Sequence, residues 1–298
     1  MKTLKTSKLR QDNLAYLFIL PFVAVFVVFK IVPILYGLFI SVLDRNTIKK
    51  AMTTNFIGFR NFRKVFTSDT FWKAFSNSLG FASIYIVVRM VLGFFLAILL
   101  NRKFKGRTAA RTMFYTPYVT NVIAIGIVFK YLFNPYNGPV NGIFRLFGFQ
   151  GPLWFMSPKL ALPATAVVAV WIAVTFNVIT ILAAMQDIPE SLYEVADIEG
   201  ANGWQKIRYI TFPLLIPTLF TLLTLVIIAS FKSYNIIMAL TEGGPGGASR
   251  TLSYKIYEDS FIYGFYSVGA AESVFFATFI IIVNRIFNRI RSSWERKN

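Results

Sequence analysis

The sequence predicts an all-α protein that crosses a membrane several times. Of its 298 residues, 56% are hydrophobic and 15% are charged, and the mean hydropathy is +0.59. A soluble domain of this size is usually less apolar and more charged. The apolar residues gather into six segments, each long enough at about 1.5 Å per residue to cross about 30 Å of hydrocarbon. These features predict a polytopic integral membrane protein with six transmembrane helices.

The six segments give the order of the predicted spans. We expect one membrane domain over 1–298, because no Gly-, Ser- or Pro-rich linker divides the chain. A signal peptide is the alternative interpretation of the first segment, but its apolar run is too long and no small-residue cleavage site follows it. The predicted spans are 14–41, 76–100, 109–133, 160–185, 211–238 and 266–288.

The basic residues predict the orientation of these spans, since Lys and Arg favour the cytoplasmic side. Both termini and the 101–111 loop are rich in Lys and Arg, whereas the 134–159 and 239–265 loops carry two basic residues each. We therefore expect cytoplasmic termini, in a bacterial or archaeal cytoplasmic membrane. The polar 186–210 loop, between the fourth and fifth spans, is then cytoplasmic too.

The 42–75 loop departs from this pattern, because it holds seven basic residues on the side predicted to be external. Phe56, Phe59, Phe62 and Phe66 recur in it at spacings of three and four. An amphipathic helix on the outer membrane surface would reconcile the charge with the orientation. The alternative is that the first span is misplaced, and we favour the surface helix.

Several classes of function are disfavoured by composition. The chain contains no Cys and no His, and His is the commonest general base and metal ligand. The sequence also contains no G-x-x-x-x-G-K-[ST] phosphate-binding motif. We expect no catalysis, no bound metal and no ATP site of its own. On a soluble protein, a net charge of +18 would favour nucleic acid as the partner. Here the charges cluster at the ends of apolar segments. Anionic lipid is the favoured partner and nucleic acid is not expected.

The polar 186–210 loop is predicted to form two short helices joined by a glycine. Leu192, Val195 and Ala196 form a small apolar face at helical spacing. Gly200 is placed to end the first helix, because glycine accepts a left-handed conformation at little cost. Asn202 can cap the second helix, with Gln205 three residues later completing a capping box.

This loop resembles the coupling loop of binding-protein-dependent ABC importer permeases of the sugar type. In that family the loop carries a Glu-Ala-Ala triplet, a glycine and an Ile-x-x-Pro ending. Val195 replaces the first alanine and Glu199 replaces an aspartate. The residues that match the pattern are Glu194, Ala196, Gly200, Ala201, Ile210 and Pro213.

The resemblance extends along the chain. Pro33-Ile34-Leu35-Tyr36 and the stretch 56–62 are similar to the family's opening signatures. Thr241-Glu242-Gly243-Gly244-Pro245 resembles a turn in the first permease subunit of maltose-type and glycerol-3-phosphate-type importers.

The family implies the partners and the coupling residues. These are a second homologous permease, a dimeric ABC ATPase that binds ATP and Mg²⁺, an extracytoplasmic solute-binding protein and membrane lipid. The resemblance implies ATPase coupling through Glu194, Val195, Ala196, Asp197, Glu199, Gly200 and Ala201.

Polar and aromatic residues within the spans are candidates for the solute pathway, because burial in lipid would be costly and transporter sites lie near the bilayer midplane. The alternative role is hydrogen bonding between helices or, for the aromatic residues, a position at the membrane interface. We expect a di- or oligosaccharide as solute. A phosphorylated polyol with Lys232 as phosphate contact, and a self-sufficient secondary carrier, are the alternatives. The candidates are Tyr118, Asn121, Trp171, Phe176, Asn177, Ser233, Tyr234 and Asn235.

Overall fold

The computed structural model describes residues 18–44, 55–102 and 104–296, and these are almost wholly helical. A short antiparallel pair, β1 (Leu43–Asp44) and β2 (Asn55–Phe56), joins Leu43 to Phe56 in register. The helices are α1 Phe18–Ser41, α2 Arg60–Phe66, α3 Asp69–Asn101, α4 Arg107–Val119, α5 Val122–Leu132, α6 Pro139–Leu146, α7 Ala161–Gln186, α8 Glu190–Ile198, α9 Gly203–Phe231, α10 Tyr234–Leu240, α11 Leu252–Tyr257 and α12 Tyr266–Glu295.

Five helices of the described residues, α1, α3, α7, α9 and α12, are long and apolar enough to cross a membrane. A sixth crossing is formed if α4 and α5, which meet at an angle of 101°, are counted as one broken span. The prediction of an all-α, multi-pass membrane protein is therefore confirmed. The start of the first predicted span, 14–17, lies outside the described residues.

Two predicted spans are wrong in their continuity. The 109–133 segment is divided at Thr120 and Asn121, where the backbone is extended and the Asn121 side chain caps α5. The 211–238 segment belongs to two helices, since α9 starts earlier, at Gly203, and ends at Phe231 before α10 begins. Hydropathy averages over a window and therefore passes over a break made by two polar residues.

By their internal contacts the residues fall into two compact units. One is drawn from 1–67 and 258–275, and the other from 68–257 and 276–298. In the first unit, the amide of the buried Asn61 donates hydrogen bonds to the carbonyl oxygens of Ser41 at 2.9 Å and Leu43 at 2.8 Å. Asn61 thereby ties α2 to the end of α1. A single domain over 1–298 stays a prediction.

The predicted surface helix in the 42–75 loop is present as α2, but it is only seven residues long. Phe56 lies in β2 instead, because the chain is extended there. Phe56 and Phe59 are 74% and 78% exposed, so large apolar side chains are available on this segment. Contact with the membrane surface stays a prediction, and 45–54 lies outside the described residues.

The core of the second unit is the packing of α3 against α7. A Cβ atom at Gly93 of α3 would lie 2.8 Å from the Cβ of Asn177 on α7, so the two helices approach closely because this residue has no side chain. The Thr175 hydroxyl donates to the Phe114 carbonyl oxygen at 2.6 Å and ties α4 to α7. At the other end of α3, the Asn77 amide donates to the Gly247 and Arg250 carbonyl oxygens at 2.9 and 3.0 Å and holds the 241–252 loop.

Candidate functional site

The two interrupted helices place their second halves side by side. Gly126 of α5 lies so close to α10 that an added Cβ atom would overlap the Cβ of Ala239. The break in the fifth span occupies Lys232 and Ser233, where the backbone leaves the regular helical conformation before α10 starts at Tyr234. Discontinuous membrane helices of this kind frame the solute sites of many transporters.

A cavity of about 160 Å³ opens at the break in the fifth span. Its polar lining comes from Tyr85 of α3 and from Lys232, Ser233 and Asn235 at the break. The apolar part of the wall consists of Phe81, Val122, Ala169, Ile172, Ala173, Ala229 and Ile236. We call this space the solute cavity.

The structure brings together only some of the predicted pathway residues. Ser233 and Asn235 both line the solute cavity. Tyr234, between them, stacks on Tyr257 with ring centroids 5.5 Å apart. These three residues remain candidates for contact with solute.

Tyr118 and Phe176 form a separate aromatic pair, with their rings stacked and their centroids 5.9 Å apart. Phe176 lies one helical turn beyond Ala173, which lines the solute cavity. Trp171 is placed elsewhere: its ring contacts Phe129 at 5.1 Å, at a wholly apolar cavity of about 310 Å³. Trp171 therefore does not join the polar residues with which the sequence groups it.

Two predicted pathway residues have structural hydrogen bonds instead. The Asn121 side-chain oxygen accepts hydrogen bonds from the backbone N–H groups of Ile123 and Ala124 at 2.8 and 3.4 Å, so it caps α5. Asn177 is completely buried and accepts a hydrogen bond from Arg89. The Arg89 bond fits the alternative role of hydrogen bonding between helices, and we leave Asn177 out of the pathway. The Asn121 cap is a role that the sequence analysis did not anticipate for this residue.

Tyr85 is the residue that sequence reasoning missed at the solute cavity. Its hydroxyl accepts a hydrogen bond from Nη1 of Arg89 at 2.5 Å, and the Arg89 guanidinium carbon lies 5.3 Å from the centre of the Tyr85 ring. Arg89 is only 5% exposed. The signal for this pair was the mid-span arginine itself, four residues after a tyrosine, a spacing that places both on one face of a helix.

The polar loop has the predicted helix–glycine–helix geometry. α8 ends with Gly200 in the left-handed conformation, at φ +74°. The Ala201 N–H donates to the Ala196 carbonyl oxygen at 2.8 Å, and the Gly200 N–H donates to that of Asp197 at 3.1 Å. This pair of bonds is a Schellman motif, which satisfies the last carbonyl groups of a helix. The capping box of Asn202 and Gln205 is confirmed at the start of α9.

Two contacts fasten α8 to α9. The Tyr193 and Thr211 hydroxyls lie 2.9 Å apart and share a hydrogen bond. The Asp197 carboxylate forms an ion pair with Lys206. Because both pairs join the same two helices, α8 and the beginning of α9 form one connected element.

The outer side of α8 carries an apolar stripe open to solvent. Leu192, Val195 and Ile198 are 42%, 58% and 86% exposed, whereas Ala196, which sequence reasoning grouped with the first two, is half-buried. We call these three residues the α8 stripe. Sequence reasoning missed Ile198, although it continues the three-residue spacing. Glu194 and Glu199 are exposed beside the stripe, and Ala201 is half-buried behind the Gly200 turn.

A multi-pass helical chain with a cavity at a broken span and an exposed helix in its polar loop has the architecture of a membrane transport protein. The chain belongs to the family of binding-protein-dependent transport system inner membrane components, whose model matches residues 89–293. The resemblance found in the sequence is thereby confirmed.

The chain is similar in sequence to two permease proteins of transport systems. It is 32% identical to the trehalose/maltose transport system permease protein MalF of Thermococcus litoralis over 281 residues, covering 94% of each chain. It is 31% identical to the sn-glycerol-3-phosphate transport system permease protein UgpA of Agrobacterium fabrum, covering 90% of this chain and 91% of the relative. Among solved structures, this chain is similar to a chain of a bacterial alginate ABC transporter in complex with an alginate pentasaccharide-bound periplasmic protein. The TM-score is 0.84 at 23% identity, and the match covers 95% of this chain and 96% of that one. The last likeness shows the fold.

Proposed function

We propose that this chain is one of two permease subunits of an ATP-driven carbohydrate importer and that solute passes the cavity at Lys232 and Ser233. The observation that carries the proposal is the opening of this cavity at a broken span, in a member of a binding-protein-dependent permease family. The relative from Thermococcus litoralis is named for trehalose and maltose transport. A di- or oligosaccharide is therefore the proposed solute.

The chemistry of the lining supports a sugar. Ser233, Asn235 and Tyr85 offer neutral hydrogen-bonding groups, and Phe81 offers an aromatic ring. The volume of about 160 Å³ is below the lower end, about 300 Å³, of ordinary small-molecule sites. This agrees with a binding site that a second, homologous permease completes.

The polar loop would transmit motion from the ATPase. The α8 stripe offers exposed apolar side chains for docking, with the carboxylates of Glu194 and Glu199 beside it. α8 is fastened to α9 through Tyr193 and Asp197, and α9 has 29 residues, a length of about 43 Å. Since α9 ends at the solute cavity, displacement of α8 moves the wall of that cavity, as in rigid-body switching.

The proposed assembly follows from this arrangement. Two permeases each dock one loop on a dimeric ATPase, which binds ATP and Mg²⁺, and a solute-binding protein delivers solute at the opposite face. The termini are proposed to be cytoplasmic, because Lys and Arg concentrate there. With six spans, the 186–210 loop between the fourth and the fifth lies on the same side.

Purification from the native membrane tests this assembly. The chain is extracted in mild detergent, the co-purifying proteins are identified by mass spectrometry, and the purified complex is screened for sugar-stimulated ATP hydrolysis. We expect a second permease and a P-loop ATPase, with stimulation by an oligosaccharide. Recovery of the chain alone or as a homo-oligomer, under conditions that preserve other membrane complexes, would instead favour a self-sufficient carrier.

A phosphorylated polyol is the second candidate solute, favoured by the ammonium group of Lys232 at the solute cavity. The relative from Agrobacterium fabrum is named for sn-glycerol-3-phosphate transport. Under this alternative Lys232→Ala abolishes uptake of a phosphate ester and spares that of a neutral sugar. Equal loss of both would remove the argument from Lys232.

A further inference from the structure

A second cavity, of about 400 Å³, lies at the end of the second unit that carries α8. Leu100 forms one side of it, at the end of α3, and Gln186 forms another, at the end of α7. Arg111, Thr112 and Tyr115 face it from α4. None of these residues lines the solute cavity. We call this space the arginine cavity.

Two arginines converge on one carbonyl group at this cavity. Nε of Arg107 and Nη2 of Arg111 both donate to the Leu100 carbonyl oxygen, at 3.1 and 3.4 Å. Nε of Arg111 is buried, and the described residues offer it no hydrogen-bond acceptor. An arginine has five N–H donors and no acceptor, so the guanidinium of Arg111 keeps donors on its terminal nitrogens for an oxygen in the cavity.

This pair of arginines carries two positive charges close to the cavity. Among the described residues, no carboxylate forms an ion pair with Arg107 or Arg111. The lining of the arginine cavity likewise contains neither Asp nor Glu. Arg102, in the same loop, adds further positive charge. An anion is therefore the ligand that suits the charge of this cavity.

The remainder of the cavity is apolar. Phe114, Val178, Ile179 and Leu182 line it alongside the polar groups. α3 and α7 are both long and apolar enough to cross a membrane, and helices that cross a membrane end near the level of the lipid headgroups. A small soluble anion would use the arginines only, whereas a phospholipid would also place the beginning of its acyl chains against the apolar wall.

We propose that the arginine cavity binds the phosphodiester headgroup of an anionic phospholipid. Arg111 supplies the phosphate contact from the cavity wall, since the planar guanidinium group matches phosphate oxygens in a bidentate manner. Arg107 adds positive charge beside it, at the Leu100 carbonyl oxygen. Tyr115, Thr112 and Gln186 offer neutral hydrogen bonds to the rest of the headgroup. Basic pockets between membrane helices are a known way of holding such lipids. The site does not depend on which solute is carried.

Native mass spectrometry of the intact membrane complex tests this site. The complex is incubated with phosphatidylglycerol or phosphatidylcholine in mild detergent, and the lipid that remains bound is counted. The wild type is expected to retain phosphatidylglycerol in preference to phosphatidylcholine, and Arg111→Gln is expected to lose that retention several-fold. Lys105→Gln is the matched control, because it removes one charge from the same loop without touching the cavity, and it is expected to retain the lipid.

Two further arms make the outcome decisive. Arg111→Lys keeps the charge without the bidentate geometry, so intermediate retention is expected, and Arg107→Gln replaces Arg111→Gln if that variant fails to assemble. Inorganic phosphate is added in excess as a competitor. The site would be overturned if Arg111→Gln, or Arg107→Gln in its place, retained as much phosphatidylglycerol as Lys105→Gln. Complete displacement of phosphatidylglycerol by inorganic phosphate would overturn the lipid assignment in favour of a small anion.

Discussion

Nε of Arg89 donates a hydrogen bond to Oδ1 of Asn177 at 2.9 Å, joining a buried cation of α3 to a neutral amide of α7. The two side chains are 5% and 0% exposed. Charged groups at membrane depth are costly and are held by partners from the interior of the bundle. Since Arg89 also donates to Tyr85, the same cation connects helix packing with one wall of the solute cavity.

Removing the amide should therefore destabilise the protein. Asn177→Ala deletes the acceptor and leaves the Arg89 Nε–H buried, so the free energy of unfolding is expected to fall by about 3 kcal/mol. Chemical unfolding in detergent measures the change. Thr180→Ala is the control, because its hydroxyl bonds only within α7, to the Phe176 carbonyl oxygen. Equal stabilities of the two variants would contradict the role given to Asn177.

The sequence predicted the spans better than their interruptions. α3, α7 and α12 correspond to long apolar runs, because burial in lipid demands about 20 consecutive apolar residues. The break at Asn121 depends on a cap made by one side chain, and the residues of α5 that follow it are as apolar as those of a continuous span. The available signal was local: Pro117 followed by Thr120 and Asn121, residues that favour ends of helices.

The close approach of α5 and α10 gives a second prediction. Gly126→Ala places a methyl group on that of Ala239, and overpacking of this kind lowers stability by about 2 kcal/mol. The exchanged pair, Gly126→Ala with Ala239→Gly, moves the methyl group from one helix to the other and should recover most of the loss. Thermal unfolding of the single and double variants measures the coupling.

Gly37→Ala is the control for this exchange, since a Cβ atom at Gly37 meets no atom within 4 Å. Its melting temperature should equal or slightly exceed that of the wild type, because alanine favours helix. If the effects of Gly126→Ala and Ala239→Gly on stability simply add, the close approach of α5 and α10 is not the cause of the loss.

The left-handed conformation of Gly200 gives a third prediction. Other residues adopt positive φ at a cost of about 1–2 kcal/mol, less for Asn and more for β-branched residues. Solute-stimulated ATPase activity of the assembled transporter should therefore fall in the order Gly200→Asn, Gly200→Ala, Gly200→Val. Gly203→Ala, with open space and no positive φ, should leave the activity unchanged. Full stimulation in Gly200→Val would contradict the proposed coupling role.

The α8 stripe gives a fourth prediction. Ile198→Glu places a charge on the most exposed residue of the stripe, and stability should change by no more than about 0.5 kcal/mol because no internal packing is lost. Co-purification of the ATPase should nevertheless be lost. Leu146→Glu, at a side chain that is 85% exposed on α6, is the matched control and should retain the ATPase. Retention by both variants would remove the stripe from the docking surface.

The site was predictable where chemistry is local and not where it depends on neighbours. The Gly200 turn and the capping box were read from residues within a few positions of one another. Asn177 and Asn235 look alike in sequence, as amides within apolar runs. The first is buried against Arg89 of α3 and the second lines a cavity at the break between α9 and α10, a difference that depends on the packing of neighbouring helices.

The most direct measurement is sugar-stimulated ATP hydrolysis by the complete transporter in proteoliposomes, comparing wild type with Ala173→Phe. Ala173 lines the solute cavity, so the added ring fills it while leaving the α8 stripe untouched. We predict that Ala173→Phe assembles with the ATPase but loses stimulation by the oligosaccharide, whereas Val167→Phe, at an exposed position on the same helix, keeps it. Undiminished stimulation in Ala173→Phe would contradict the proposal that solute passes this cavity.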